Sequence, residues 1–134
     1  MSVYVDSSAL LKRYLEEPDS SRYDEALLAD PDWICARHTA IEVRRNFPRV
    51  LESSDLADAR VQFQADWAAT RIVEIDEALC DLACDLAEAT GARTLDAIHL
   101  AAAQRVGGGS LPFLTADLRQ AQIARSLGWI VLGA

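Results

Sequence analysis

Short apolar runs alternate with longer amphipathic segments along this chain of 134 residues, and the alternation constrains the fold more than any other feature. Five apolar runs predict strands, at residues 3–5, 33–36, 72–75, 113–115 and 129–132. Helical periodicity fills the intervals, in segments that begin at residues 8, 19, 39, 55, 77, 94 and 117. Strands that alternate with helices imply a mostly parallel sheet covered on both faces. We therefore predict an α/β/α sandwich.

Local signals predict the extent of the domain and the ends of several helices. The chain has no repeat, low-complexity tract or linker, so we predict a single domain over residues 1–134. The first helix is expected to cover residues 8–17. Pro48 is expected to kink or end the third helix, because proline lacks the helical N–H. Asp55 is predicted to cap the fourth helix.

The balance of charge and the cysteines exclude several classes of protein. Asp and Glu number 21 against 13 Lys and Arg, a net charge of −8. That charge counts against a protein that binds nucleic acid mainly through a basic surface, and against a polybasic membrane-surface protein. No apolar stretch approaches the roughly 20 residues of a membrane helix. The three cysteines lack CxxC spacing, so we expect a cytoplasmic protein, with Cys80 and Cys84 as small core residues.

Four carboxylates stand apart from the other acidic residues, most of which cap helices or lie on solvated faces. Asp6 and Asp117 directly follow predicted strands, and Glu42 and Asp96 lie in the first turns of predicted helices. Both kinds of position face the carboxyl ends of the strands, where open α/β sheets bind ligands. Grouped carboxylates repel one another unless a cation neutralises them or some take up protons. Because oxygen ligands favour Mg²⁺ or Mn²⁺ over Zn²⁺, the pattern indicates an acidic metal site.

Local explanations remain open for these carboxylates and for the two histidines. Residues 39–42 match a capping box, which would leave the glutamate with a purely local role. Asp96 could stabilise its own helix dipole, and Asp117 could serve only as an N-cap. His99 follows Asp96 by three residues and could reach a metal, although a histidine in an Ala/Leu-rich helix is more often a packed residue with a satisfied hydrogen bond. His38 is equally ambiguous.

Five segments carry the chain's most distinctive residues. They are VYVDSSALLK at 3–12, TAIE at 39–42, RTLDAIHLA at 93–101, FLTAD at 113–117 and GWIV at 128–131. Together they resemble the motifs of PIN-domain nucleases, and especially those of the VapC toxins of bacterial toxin–antitoxin pairs. The segment at 93–101 is the most specific, and the order and spacing are preserved over essentially the whole chain. The resemblance implies the PIN-like form of the sandwich.

The resemblance also implies an activity and a set of site residues. The activity is that of a metal-dependent endoribonuclease, which cuts RNA to leave a 5′-phosphate. The acidic quartet would bind one or two Mg²⁺ or Mn²⁺ ions, and two hydroxyls would support it. The quartet comprises Asp6, Glu42, Asp96 and Asp117, and the hydroxyls belong to Ser8 and Thr115.

This ligand set predicts hydrolysis by metal-activated water. Asp6 and Asp96 are the primary ligands of this hypothesis, and Asp117 completes the set directly or through water. Glu42 either binds the metal or orients the attacking water.

The resemblance further implies two kinds of protein partner. One is a cognate, VapB-like antitoxin, expected to insert a segment into the acidic cleft. The other is a second copy of the chain in a homodimer. Trp33, Phe63 and Trp67 are candidate interface aromatics, with burial in the core at least as favoured.

Five arginines flank the motifs and could bind RNA phosphates. They are Arg13, Arg37, Arg45, Arg49 and Arg93. Two of them, Arg45 and Arg49, share a helix face with Glu42 and could instead pair with it. The other three could equally be solvated.

Other functions remain as alternatives or are excluded by missing residues. A dehalogenase-type phosphotransfer site would need an aspartate where Ser8 stands, and a receiver domain would need a late lysine, whereas Lys12 is the only one. A dinucleotide-binding domain would need GxGxxG. Two alternatives stay open, a housekeeping PIN-domain nuclease that processes RNA and a non-catalytic PIN-like module that binds a partner protein.

Overall fold

The centre of the molecule is a five-stranded sheet in which every neighbouring pair of strands is parallel. The computed structural model describes residues 1–134. The strands are β1 (Ser2–Val5), β2 (Asp32–Ala36), β3 (Arg71–Val73), β4 (Phe113–Thr115) and β5 (Val131–Gly133). Their order across the sheet is β3-β2-β1-β4-β5. The predicted parallel sheet is therefore confirmed.

Seven α-helices cover the sheet. They are α1 (Ser7–Leu11), α2 (Ser20–Ala29), α3 (Thr39–Val50), α4 (Ser53–Ala68), α5 (Glu77–Thr90), α6 (Thr94–Val106) and α7 (Leu118–Ser126). A short 3₁₀ turn, Gly108–Ser110, follows α6. None of the helices is long and apolar enough to cross a membrane.

Two apolar cores lie on opposite faces of the sheet, because side chains alternate along each strand. Tyr4 of β1 packs in one core with residues of α5, α6 and α7. Its neighbours Val3 and Val5 pack in the other core with residues of α1 to α4. This arrangement confirms the predicted α/β/α sandwich.

The strand order places the end of β1 at a switch point of the sheet. The chain moves from β1 outward through β2 to β3 and then returns to β4 on the other side of β1. Connections on the two sides of such a point run over opposite faces, which leaves a crevice at the carboxyl ends of the strands. Asp6, which follows β1, and the loop after Thr115 of β4 both lie at this crevice.

Several predicted boundaries are wrong, each for a local reason. The first helix ends at Leu11, because the next amides bond to carbonyls three residues back. Pro48 lies within α3 and does not end it at that point: the helix continues for two more residues to Val50, because proline removes only its own N–H bond. Asp55 is not a cap: α4 begins at Ser53, and Asp55 lies in its first turn.

The two helical cysteines are also placed differently from the prediction. Cys80 and Cys84 are free thiols on the exposed side of α5, not core residues. The core side of this helix carries Leu79 and Ala83 instead. Asp76 caps the same helix and accepts a hydrogen bond from the amide of Leu79.

Candidate metal centre

Asp6 is the most deeply placed of the four carboxylates and is held by hydrogen bonds on both oxygens. It caps α1, and its Oδ1 accepts bonds from the Ala9 amide (3.2 Å) and the Ser8 hydroxyl (2.7 Å). Its Oδ2 accepts a bond from the Thr115 hydroxyl (2.6 Å). The residue is only 3% exposed, and burial raises the pKa of its carboxyl group.

The two hydroxyls also join the loops that follow β1 and β4. Their oxygens, Oγ of Ser8 and Oγ1 of Thr115, lie 3.2 Å apart. The Ala116 amide donates to Ser8 (2.9 Å), and the Asp117 amide donates to Thr115 (3.1 Å). These bonds hold the start of the Asp117 loop against the Asp6 loop.

Asp96 and Asp117 approach the same crevice from two helix starts. Asp96 lies half-buried in the first turn of α6, and Asp117 is exposed at the N-cap of α7, where it accepts a bond from the Gln120 amide (3.1 Å). Gln120 is itself buried, and its side-chain amide donates to the Asp96 carbonyl (3.0 Å). This bond ties the two helix starts together.

The charges of the other three carboxylates act on Asp96. Burial raises the pKa of Asp96, and the negative charge of Asp117 raises it further. Asp6 and Glu42 act in the same direction. Among these carboxylates, only Glu42 belongs to a group of three potential metal ligands whose atoms lie within 4.8 Å of one another, and its partners there are His38 and His99.

Glu42 turns toward this site and away from its own helix end. Its Oε1 accepts hydrogen bonds from the Ser7 hydroxyl and from Nε2 of His99, the latter at 2.8 Å. The capping-box alternative is wrong, because Thr39 is already the first residue of α3 and its buried hydroxyl has no partner. Burial opposes the ionisation of Glu42, but the bonds from His99 and Ser7 outweigh it and lower the pKa.

A buried tyrosine determines which ring nitrogen of His99 carries the proton. The Ala36 amide donates to the phenol oxygen of Tyr4 (3.3 Å), so the phenol proton is free to bond Nδ1 of His99, 2.8 Å away. The imidazole then carries its own proton on Nε2 and donates it to Glu42. His99 is 2% exposed, so the prediction of a packed histidine with satisfied hydrogen bonds is confirmed. Its link to Glu42 was missed, although a histidine three residues after Asp96 was the available signal.

His38 completes a compact cluster with His99 and Glu42. The nearest ligand atoms of the three residues all lie within 4.8 Å of one another, a spacing that could hold a metal ion. Nε2 of His38 lies 3.2 Å from the Leu95 carbonyl, to which it can only donate, and 3.4 Å from Glu42. Both imidazoles would have to move a proton before their Nε2 atoms could bind a metal, so the cluster is arranged first for hydrogen bonding. Burial lowers the pKa of His38 to about 4.

The predicted RNA-binding arginines divide into paired and unpaired residues. The prediction that Arg13 could bind RNA needs correction, because its guanidinium is bound by Asp24 and Asp66 (2.7 and 2.8 Å) and lies over the Trp33 ring. Trp33 pairs with Val3 near the amino ends of the strands, at the edge of the sheet opposite the crevice.

Arg37 is exposed and pairs with Glu74. Arg45, Arg49 and Arg93 are exposed and form no ion pair, so the alternative pairing of Arg45 and Arg49 with Glu42 is wrong.

The candidate interface aromatics lie mostly in the core. Trp33 and Phe63 are 8% and 4% exposed, and both belong to the core beneath α1 to α4. Trp67 is half-buried and stacks on Phe63, with ring centroids 5.5 Å apart. Only Trp67 offers appreciable surface to a partner.

Comparison with known proteins identifies the family. The PIN domain model matches residues 3–126. The chain is 33% identical over 131 residues to ribonuclease VapC46 of Mycobacterium tuberculosis, covering 98% of this chain and 96% of that protein. Ribonuclease VapC45 of the same species is 35% identical over 129 residues, and the match covers 87% of this chain and 85% of that protein.

Solved structures show the same fold. FitAcB from Neisseria gonorrhoeae superposes with a TM-score of 0.75 at 18% identity and covers 99% of this chain and 97% of its own. A toxin–antitoxin complex from Klebsiella pneumoniae superposes with a TM-score of 0.67 at 18% identity and covers 86% of each chain. The expected resemblance is confirmed: the chain belongs to the PIN domain family and groups by sequence with the VapC ribonucleases.

Proposed function

We propose that this chain is a metal-dependent endoribonuclease and the toxin of a VapBC-type toxin–antitoxin pair. The observation that carries the proposal is the position of four carboxylates around one crevice, where burial raises the pKa of Asp96 and the charges of Asp117, Asp6 and Glu42 raise it further. The names of the most similar relatives, which are ribonucleases called VapC, support RNA as the substrate.

The donor set fits a divalent cation. Four carboxylates supply hard oxygen ligands, and a bound cation would relieve the repulsion among them. His38 and His99 lie beside Glu42, and their Nε2 protons are directed at the Leu95 carbonyl and at Glu42. We therefore propose Mg²⁺ or Mn²⁺, as one or two ions, held by Asp6, Asp96 and Asp117. Such an ion, when bound, lowers the pKa of water and screens the charge of the phosphate.

The protein's own groups prepare the site for hydrolysis. The hydroxyls of Ser8 and Thr115 direct the two oxygens of Asp6, so its carboxylate has little freedom to turn. Oε1 of Glu42 is taken up by donors from Ser7 and His99, which leaves Oε2 without a hydrogen-bond partner in the protein. We propose that Oε2 either binds the cation or accepts a hydrogen bond from the attacking water and so orients it.

The surroundings supply contacts for the substrate and for partners. Arg45, Arg49 and Arg93 are unpaired and are proposed to bind RNA phosphates, and Arg37 could do so on leaving Glu74. The Klebsiella structure is described as a toxin–antitoxin complex, which supports a VapB-like antitoxin as a partner of this chain. A homodimer and a cytoplasmic location are part of the same proposal.

The test is cleavage of total RNA by purified protein with Mg²⁺, Mn²⁺ or EDTA. We expect cleavage with either metal, none with EDTA, and none with the Asp6→Ala or Asp96→Asn variants. Asp85→Asn is a matched control, because Asp85 is exposed on α5 away from the crevice. Cleavage that survives chelation would refute the metal dependence. Equal cleavage by the wild type and Asp96→Asn would refute the assignment of the site. Absence of cleavage by the wild type with either metal would leave the non-catalytic module.

A further inference from the structure

The unpaired positive charge of this acidic protein is concentrated on two neighbouring helices. Of the 13 Lys and Arg residues, five form ion pairs with carboxylates. Four of the remaining eight lie on α3 and α4, namely Arg44, Arg45, Arg49 and Arg60. In a chain with a net charge of −8, such a cluster points to an anionic ligand.

A groove runs between these two helices and is bordered by the arginines. One cavity of about 380 Å³ is lined by Arg44, Arg45 and Arg60. An adjoining cavity of about 480 Å³ shares Arg44 and Arg60 with it and extends the groove to Phe63 and Trp67. No Asp or Glu lines either cavity.

The carboxylates of α4 lie elsewhere. Asp55 and Asp58 border a different cavity with Glu16 and Glu17, and Asp66 is bound to Arg13. The groove is therefore positively charged without local neutralisation.

The floor of the groove is apolar and partly aromatic. Trp67 is half-buried and lies nearly parallel to the ring of Phe63, with an angle of 24° between the planes. Ala40 and Pro48 line the groove beside the arginines. Arginines beside an aromatic floor are a combination that binds single-stranded nucleic acid, since phosphates meet the cations and bases stack on the rings.

We propose that this groove, the α3–α4 groove, binds single-stranded RNA next to the acidic centre. The inference rests on the proposed function, and it names the surface that holds the substrate strand. The groove is continuous with the acidic site, because Arg45, which lines the groove, lies one helical turn after Glu42 on α3. This continuity supports RNA as the ligand over an acidic protein segment. The groove explains how a protein of net negative charge holds a polyanion.

The test is the salt dependence of RNA binding in EDTA, where no cleavage is expected. The probe is a short fluorescein-labelled single-stranded RNA of mixed sequence, and binding is followed by fluorescence anisotropy over a KCl series. Each phosphate contact that is lost lowers the slope of log K against log[KCl] by about 0.7 for a single strand. Arg44→Gln and Arg60→Gln should each show this change and bind about fivefold more weakly at about 0.1 M KCl. Arg125→Gln is the matched control, because Arg125 is exposed on α7, and this variant should bind as the wild type does.

Two results would overturn the inference. One is an unchanged slope and affinity in both groove variants. The other is displacement of the RNA by a poly-glutamate peptide of equal charge that binds as tightly as RNA and whose binding is lost in the same variants. This result would assign the groove to an acidic protein segment. Failure of the proposed function has a different signature: the wild type would bind RNA through these arginines and still not cleave it when Mg²⁺ or Mn²⁺ is added.

Discussion

Replacing Tyr4 with phenylalanine tests whether the buried link from Tyr4 through His99 to Glu42 positions the acidic site. The substitution removes one oxygen and keeps the ring, which is fully buried and stacks on Phe113 at a centroid distance of 5.3 Å. Packing is therefore preserved. The loss is confined to two hydrogen bonds, from the Ala36 amide (3.3 Å) and to Nδ1 of His99 (2.8 Å).

The expected cost follows from the two buried groups that lose their partner. A buried polar group without a partner costs about 1–3 kcal/mol, and the longer Ala36 bond places its share at the low end. Tyr4→Phe should therefore lower the free energy of unfolding by about 2–4 kcal/mol, less than the roughly 5–15 kcal/mol of a typical domain, so the variant should fold. His99 should also lose its fixed tautomer, and with it part of its bond to Glu42.

Urea unfolding in EDTA measures the stability, and long-range ¹⁵N NMR of the imidazole measures the tautomer. Titration with Mn²⁺ reports on the site without requiring catalysis. Tyr14→Phe is the matched control: Tyr14 is also buried and donates a 2.7 Å bond to Asp66, far from the crevice. It should lose stability but keep wild-type Mn²⁺ affinity.

The reasoning would be refuted in two ways. If Tyr4→Phe unfolds at the same urea concentration as the wild type, the two hydrogen bonds do not contribute as argued. If it is destabilised but keeps the wild-type tautomer and Mn²⁺ affinity, His99 does not position Glu42.

Three further predictions concern charged groups. Asp96→Asn should raise the melting temperature of the metal-free protein at pH 7, because neutralisation removes the repulsion and the burial cost that raise the pKa of Asp96; the same variant should gain less stability from added Mn²⁺, and calorimetry showing no gain in EDTA would contradict this. The pKa of His38 is lowered to about 4, so the unfolded chain takes up a proton below about pH 6.5 that the folded chain refuses, and stability relative to His38→Gln should fall as the pH drops from 6.5 toward 4; parallel pH profiles of urea unfolding would argue against it. Arg13→Gln should lose about 2 kcal/mol of stability and keep its RNA affinity, because two ion pairs of a largely buried guanidinium are broken. Arg45→Gln should instead keep its stability and lose RNA affinity. A loss of RNA affinity in Arg13→Gln with unchanged stability would contradict the structural role.

Much of the candidate site could be predicted from local patterns. A carboxylate that directly follows a buried strand lies at the carboxyl edge of a parallel sheet whatever the rest of the chain does. Asp6 and Asp117 were predicted on that ground, and the structure places both at the crevice. Ser8 and Thr115, which the resemblance named as supporting hydroxyls, do bond to Asp6.

Predictions that depended on a choice between local and distant partners were less successful. The Thr39 to Glu42 spacing matched a capping box, but Glu42 bonds to residues 35 and 57 positions away. Arg13 was a candidate for binding RNA phosphates, with a solvated position as the alternative, but Asp66, which lies 53 positions along the chain, binds it. A sequence pattern shows which partner is close along the chain but not which distant residue competes with it. It therefore cannot predict which of the two forms the bond.

The sequence by itself determined the layers, the parallel sheet and the four carboxylates at its edge, because strand alternation and helix periodicity act over neighbouring residues. Only the tertiary structure decided which donors each carboxylate receives. Tyr4 and His99 are 95 positions apart, and they meet because β1 and α6 pack in the same core. The unpaired arginines of α3 and α4 likewise form one groove only through the packing of the two helices. Contacts of this kind depend on packing between distant segments, and no spacing along the chain encodes them.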